Sequence, residues 1–250
     1  MFVFLALIGY VAADYYCASY TLSNAQRELL LEGHNEVRRN IAFGRQENKD
    51  GLPPLGPAKN MYALDWDCEL EKKAEESLAK CTLDEKVDAG RNMIQNSNHQ
   101  VTVYVYSQDW DCELEKKAEE SLAKCTLDEK VDAGRNMIQL NTNGGTLFDT
   151  DFMTIALSNW VAPVKFFGKS EPVNKYDGMH CQFANMVHAN TTKVGCSFKR
   201  CGENFLFACL YDKCGVKEAL LYENGQPCEQ DDDCTTFYGS ECEKGLCIKS

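Results

Sequence analysis

Few side chains in this chain could carry chemistry: four histidines and fourteen cysteines stand among its 250 residues. General acid–base work needs at least two titratable groups within hydrogen-bond reach of one another. His34 lies inside a helical pattern with no orienting partner, so it reads as a hydrogen-bonded packing residue. A serine nucleophile would need a Gly-x-Ser-x-Gly elbow, and none occurs. Cysteines held in bridges cannot attack. Zinc would need Cys-x-x-Cys or close Cys/His groupings, whereas neighbours such as Cys196 and Cys201, or Cys242 and Cys247, stand further apart. Asp231, Asp232 and Asp233 lack the glycine and bidentate glutamate of a calcium loop. The residues therefore predict no catalytic centre, no metal and no cofactor.

So many cysteines call for an oxidising compartment, and the first residues agree. Residues 1–13, MFVFLALIGYVAA, are a short uncharged apolar run closing on small residues before the polar Asp14, the pattern of a secretory signal peptide. A membrane-crossing helix takes about 20 apolar residues. No stretch here reaches that, so no membrane span is expected and the mature chain should be extracellular. The formal charge of −12 removes the attraction on which nucleic-acid binding depends. Asn190-Thr191-Thr192 is a glycosylation sequon in a polar loop, which predicts a glycoprotein.

Residues 65–95 and 109–139 are identical, both reading DWDCELEKKAEESLAKCTLDEKVDAGRNMIQ at an offset of 44 residues. Two perfect copies without a third do not make a stacking array, which needs about three units. Each copy carries an amphipathic helix. Leu70, Ala74, Leu78 and Cys81 form its apolar stripe, repeated as Leu114, Ala118, Leu122 and Cys125, opposite Glu71, Lys72, Glu75 and Glu76. One packing slot cannot hold both. One copy is expected to fill it and the other to form an accessory surface helix, joined through residues 96–108. The two cysteines of a copy would lie about 20 Å apart along a continuous helix, so they must pair outside it.

Ser23 and Gln26 make a capping box before a helix with Leu30, Val37 and Ile41 in register and Gly44 at its end. A proline- and glycine-rich loop follows. Residues 151–168 predict another helix, with Ile155, Trp160, Val164 and Phe167 on one stripe, which Pro163 should kink or shorten. Residues 193–199 alternate as a strand, and 204–212 are apolar on both faces, as a central strand would be. Cys201-Gly202-Glu203 should turn them into an antiparallel hairpin. The last stretch, with four cysteines and little apolar core, must be stapled to stay folded.

Several motifs recur in one order: His34-Asn35-Glu36-Val37-Arg38 on the first helix; MYALDWDCELEKKAEESLAKC; Val187, Thr191 and Val194 leading to Gly195-Cys196; and Gly225-Gln226-Pro227-Cys228 through Gly245-Leu246-Cys247. In that order they resemble the CAP superfamily, also called sperm-coating-protein-like, and within it the nematode Ancylostoma-secreted-protein or venom-allergen-like group. The resemblance implies an α+β fold, an α-β-α sandwich over residues 17–222, with a small cysteine-rich tail over 223–250. It gives His34, Asn35, Arg38, Gly195 and Cys196 as motif residues of the scaffold. It also implies ten bridged cysteines: Cys17, one copy of the helix pair, Cys196, Cys201, Cys209 and the four of the tail. Cys181 and Cys214 are then expected to bond to each other.

Many relatives bring two histidines and two glutamates into a central cleft that sometimes holds a divalent metal. Here the aligned positions are degenerate. One glutamate is Arg91, or Arg135 in the second copy, and the other is Pro163. The last histidine is Gln182, with His180 two residues upstream, and the first has no counterpart between Cys81 and Gly90. The resemblance thus implies a non-enzymatic excretory-secretory protein of a parasitic nematode. Its partner would be a host protein or cell-surface receptor in immune or haemostatic modulation. The alternative it implies is a sterol or fatty-acid carrier with a groove lined by Phe166, Phe167 and Met186.

Overall fold

In a computed structural model, the structure describes Tyr15, Cys17 and residues 21–79, 81, 134–142, 147–169 and 173–250. The signal-peptide residues 1–13, Arg91, residues 96–108 and the helical part of the second copy lie outside the described residues.

Helix α1 (Asn24–Ala42) opens on the expected capping box, the Ser23 side chain accepting from the Gln26 backbone while the Gln26 side chain takes the Ser23 N–H. It ends at Phe43, with Gly44 at φ 66. After β1 (Ala58–Lys59) and β2 (Asp65–Trp66), Asp67 caps helix α2 (Cys68–Ser77) by accepting from the backbone N–H groups of Glu69 and Leu70. Strand β3 (Gly134–Asn141), helix α3 (Asp149–Phe167), helix α4 (Cys181–Val187), and strands β4 (Lys193–Cys201) and β5 (Asn204–Tyr211) complete the sandwich. The tail carries β6 (Glu223–Asn224), a short turn of helix at Asp231–Asp233, and the β7 (Glu241–Glu243) and β8 (Leu246–Ile248) pair.

The main sheet runs β2-β4-β5-β3, with β2 parallel to β4 and the other pairs antiparallel. Strand β5 is central, which explains why it is apolar on both faces. Phe205, Phe207, Cys209 and Tyr211 join the large core shared with α1, α3 and α4. Leu206, Ala208 and Leu210 join Leu70, Ala74 and Leu78 of α2 on the other face. The hairpin forms as predicted, with Gly202 at φ 61 in its turn.

The two copies share one slot in an unexpected way. Helix α2 comes from the first copy and the start of β3 from the second, so the sandwich is assembled from the head of one repeat and the end of the other. Of the expected apolar stripe, Leu70, Ala74 and Leu78 are buried while Cys81 is exposed, and Glu71 is not on the solvent face. It is fully buried, ion-paired with the equally buried Arg27 at 2.7 Å and accepting from Trp66 Nε1 at 2.7 Å. Helical spacing places it beside Leu70 and Ala74, and Arg27 on α1 supplies the charge that lets a carboxylate lie there.

Pro163 does not shorten α3, which continues to Phe167. Trp160 and Val164 on either side are buried, so packing holds the turn that the missing N–H leaves open. Phe167 itself leaves the expected stripe and stands exposed.

Five disulfides form among the described residues: Cys17–Cys68, Cys81–Cys201, Cys196–Cys209, Cys228–Cys242 and Cys234–Cys247. These are the ten cysteines the resemblance implies, and the helix cysteines do pair outside their helix. Cys181 is not joined to Cys214, which corrects that expectation. The Cys214 side chain packs over Gly134 beside Asn185, a turn further along α4 than Cys181.

Candidate functional site

The capping box fixes the start of α1, and the helix then aims His34, Asn35 and Arg38 into the molecule, all three buried. Asn35 pairs with the Leu64 backbone as a strand would, donating to its carbonyl at 3.0 Å and accepting from its N–H at 2.8 Å. Arg38 donates to the carbonyls of Tyr62, Met186, Ala189 and Thr191. Burial pulls its pKa down to about 9, which still leaves it charged at neutral pH. One guanidinium thus ties α1 to the end of α4 and to the turn that follows.

His34 sits at the head of a buried polar chain. Its Nδ1 lies 2.7 Å from the Leu30 carbonyl, so Nδ1 carries the proton and Nε2 accepts from the Tyr211 hydroxyl at 2.8 Å. Asn136 on β3 donates to that hydroxyl at 3.0 Å and to the Gln182 carbonyl at 2.9 Å. Asn185 on α4 donates to the Asn136 side-chain oxygen at 3.0 Å. Burial, with the Arg38 charge behind it, lowers the His34 pKa to about 4, so the ring is neutral at physiological pH. Burial likewise raises the Tyr211 phenol. A ring with both nitrogens engaged has nothing to offer a substrate.

This network reaches the backbone at two of the positions that the resemblance aligns with the cleft. Asn136 and Asn185 touch the backbones of Gln182 and Arg135. Arg135 is registered opposite Leu210, however, which turns its side chain toward the α2 face of the sheet. Pro163 lies one turn before Phe167, whose ring stacks on His180 with centroids 6.3 Å apart. His180 holds a left-handed conformation (φ 58) at the start of α4, its Nε2 at 3.3 Å from the Gly168 carbonyl. Burial lowers its pKa. His188 ends α4 with Nδ1 at 2.9 Å from Thr191 Oγ1. Burial, then the charges of Arg38 and Lys213, lower it to about 4.

A divalent cation needs several neutral or anionic donors converging on one point. Among the described residues, Arg135 turns its side chain to the α2 face, Pro163 offers no donor, and His180 Nε2 is engaged by a backbone carbonyl, so these positions do not present such a set. Among the described residues the closest Cys/His/Asp/Glu grouping is Cys228, Cys234 and Cys247, and all three sulfurs are in disulfides. The three residues considered for a lipid groove are also separated in character. Met186 is fully buried in the core, while Phe166 and Phe167 are exposed.

The remaining motif residues serve the sandwich. A Cβ on Gly195 would sit 2.1 Å from the Glu71 backbone nitrogen, so only glycine lets α2 approach β4 this closely. Cys196 bridges to its register partner Cys209. Asn190 is exposed at the tip of a turn, and the Thr192 hydroxyl of its sequon donates to Asp212 at 3.0 Å. Sequence reasoning missed Asn136, Asn185 and Tyr211. Only the recurrence of Gly-Arg-Asn in both copies hinted that the asparagine matters.

The chain is 29% identical over 235 residues to the Ancylostoma secreted protein of Ancylostoma caninum, a match that covers 93% of this chain and 45% of that protein. Among solved structures, Na-ASP-1 superposes with a TM-score of 0.70 at 27% identity, over 95% of this chain and 49% of that one. BmVAL-1 superposes at 0.68 and 22% identity, over 94% of this chain and all of that one. The chain spans about half the length of Na-ASP-1 and of the Ancylostoma protein. No helix among the described residues is long and apolar enough to cross a membrane. The CAP family model, described as the cysteine-rich secretory protein family, matches residues 31–109 and again 105–211, one duplicated segment falling in each match. By that match the chain belongs to the CAP, or cysteine-rich secretory protein, family.

Proposed function

We propose that this chain is exported as a non-enzymatic CAP protein of a parasitic nematode and acts by binding a host protein or cell-surface receptor. The observation that carries the reading is the His34 ring, neutral and engaged at both nitrogens, in a chain whose resemblance puts Arg135, Pro163 and Gln182 at positions where many relatives carry two glutamates and a histidine. A site without a poised base, nucleophile or cation-binding donor set supports recognition by surface loops, which a bridged scaffold holds at low ordering cost. The five disulfides supply that scaffold.

Binding of fluorescently labelled protein to host leukocytes and platelets tests the reading. Saturable binding that His180→Ala leaves unchanged is expected. Saturable binding of a labelled sterol at micromolar concentration, with no cell binding, would replace it with the carrier function.

A further inference from the structure

Apart from Trp66 within the copy and Met137 of β3, the disulfides, ion pairs and close packing that seat the first copy's helix come from residues outside the repeat. Cys68 bonds to Cys17 and Cys81 to Cys201. Glu71 meets Arg27, and Asp67 meets Lys193 at 2.9 Å. Glu75 accepts from Thr21 at 2.8 Å, Lys199 donates to the Ala79 carbonyl, and Gly195 fixes the helix–strand approach. Residues 109–125 repeat residues 65–81 without a difference, so the slot finds the same groups at the same spacing in either copy. The start of strand β3, Gly134 to Gln139, already comes from the second copy, so the second helix would be joined to it by residues 126–133 alone.

We propose that the α2 slot accepts either copy, giving two disulfide registers of one fold: Cys17–Cys68 with Cys81–Cys201, or Cys17–Cys112 with Cys125–Cys201. In the first register the excess chain leaves after Cys81; in the second it leaves after Leu64, whose backbone stays paired with Asn35. Loop-closure cost grows only with the logarithm of length, so moving the excess from one point to the other changes it little. The bond balance is the same in both registers. Four thiols close into two disulfides, and two molecules of oxidised glutathione take up the electrons and protons to become four of reduced glutathione.

Refolding of the reduced chain in a glutathione buffer, followed by tryptic mapping of the unreduced monomer, tests this directly. Peptides 60–72 and 92–116 carry Cys68 and Cys112 in different sequence, so the two Cys17 linkages are told apart by mass. The wild type is expected to show both. In the C68S/L70D variant all of the Cys17 linkage should move to Cys112, and in the mirror variant C112S/L114D it should stay wholly on Cys68. A C68S/L70D monomer with Cys17 alkylated would overturn the proposal. So would failure of that variant to fold while its mirror folds, or a Cys17–Cys112 bridge confined to dimers.

Discussion

The Tyr211 hydroxyl lies 2.8 Å from His34 Nε2, joining the last residue of β5 to the middle of α1 across the core. Tyr211 also receives the Asn136 amide, so one phenol oxygen serves two elements at once. Its loss leaves the buried His34 Nε2 without a partner and takes one of two acceptors from the Asn136 amide. Tyr211→Phe should therefore cost about 1–3 kcal/mol, and His34→Ala, which adds a cavity, about 2–5 kcal/mol. Urea denaturation of both variants checks this; His34→Ala with wild-type stability would contradict the buried network.

His34 and His188 both have folded pKa values lowered to about 4, below the ordinary 6.5. The unfolded chain then binds more protons than the folded one between these values. Their contribution is present in full above pH 6.5 and is lost as the pH falls toward 4, at up to about 1.4 kcal/mol per pH unit for each ring. Unfolding midpoints measured from pH 7 to pH 4 should fall, and the slope should flatten in His188→Gln. An unchanged slope in that variant would show that His188 does not contribute.

Glu71 and Arg27 form a buried ion pair, with Trp66 donating to the same carboxylate. Glu71→Ala leaves a buried guanidinium and an indole N–H without it and should cost about 3–5 kcal/mol. An Arg27→Met/Glu71→Leu double variant should lose markedly less. Thermal denaturation of the three proteins decides; equal losses would mean the pair is no more than the sum of its parts.

Gly195→Ala would drive a Cβ to 2.1 Å from backbone of α2, which cannot move aside as a side-chain tip could. The expected loss is about 3 kcal/mol, at the upper end of overpacking penalties. Wild-type urea unfolding of the alanine variant would refute the close approach.

Asn190 stands exposed on its turn, so a chain produced in a eukaryotic secretory host should carry a glycan there. Amidase treatment and Asn190→Gln should remove the same mass. No mass difference would mean the sequon goes unused.

Much of this fold was legible because local chemistry and tertiary packing agree. The Ser23–Gln26 box, the β4–β5 hairpin and the Leu70–Ala74–Leu78 stripe each follow from short-range pattern. The buried face of Glu71 was not legible, because its partner Arg27 lies 44 residues away and a glutamate in a Glu/Lys-rich helix reads as solvated. The division of α2 and β3 between the copies was invisible for a simpler reason: identical sequences carry no information about which of them a slot will choose. Tyr211, Asn136 and Asn185 escaped because their meeting depends on strand register and helix placement, and neither is written locally.

Metal content of the protein purified after incubation with zinc or manganese, read by elemental mass spectrometry beside titration calorimetry, puts the proposed loss of a metal-binding cleft to its most direct trial. Well below one ion per chain is the predicted result, with no change in His180→Ala. One tightly held ion per chain that His180→Ala removes would contradict it.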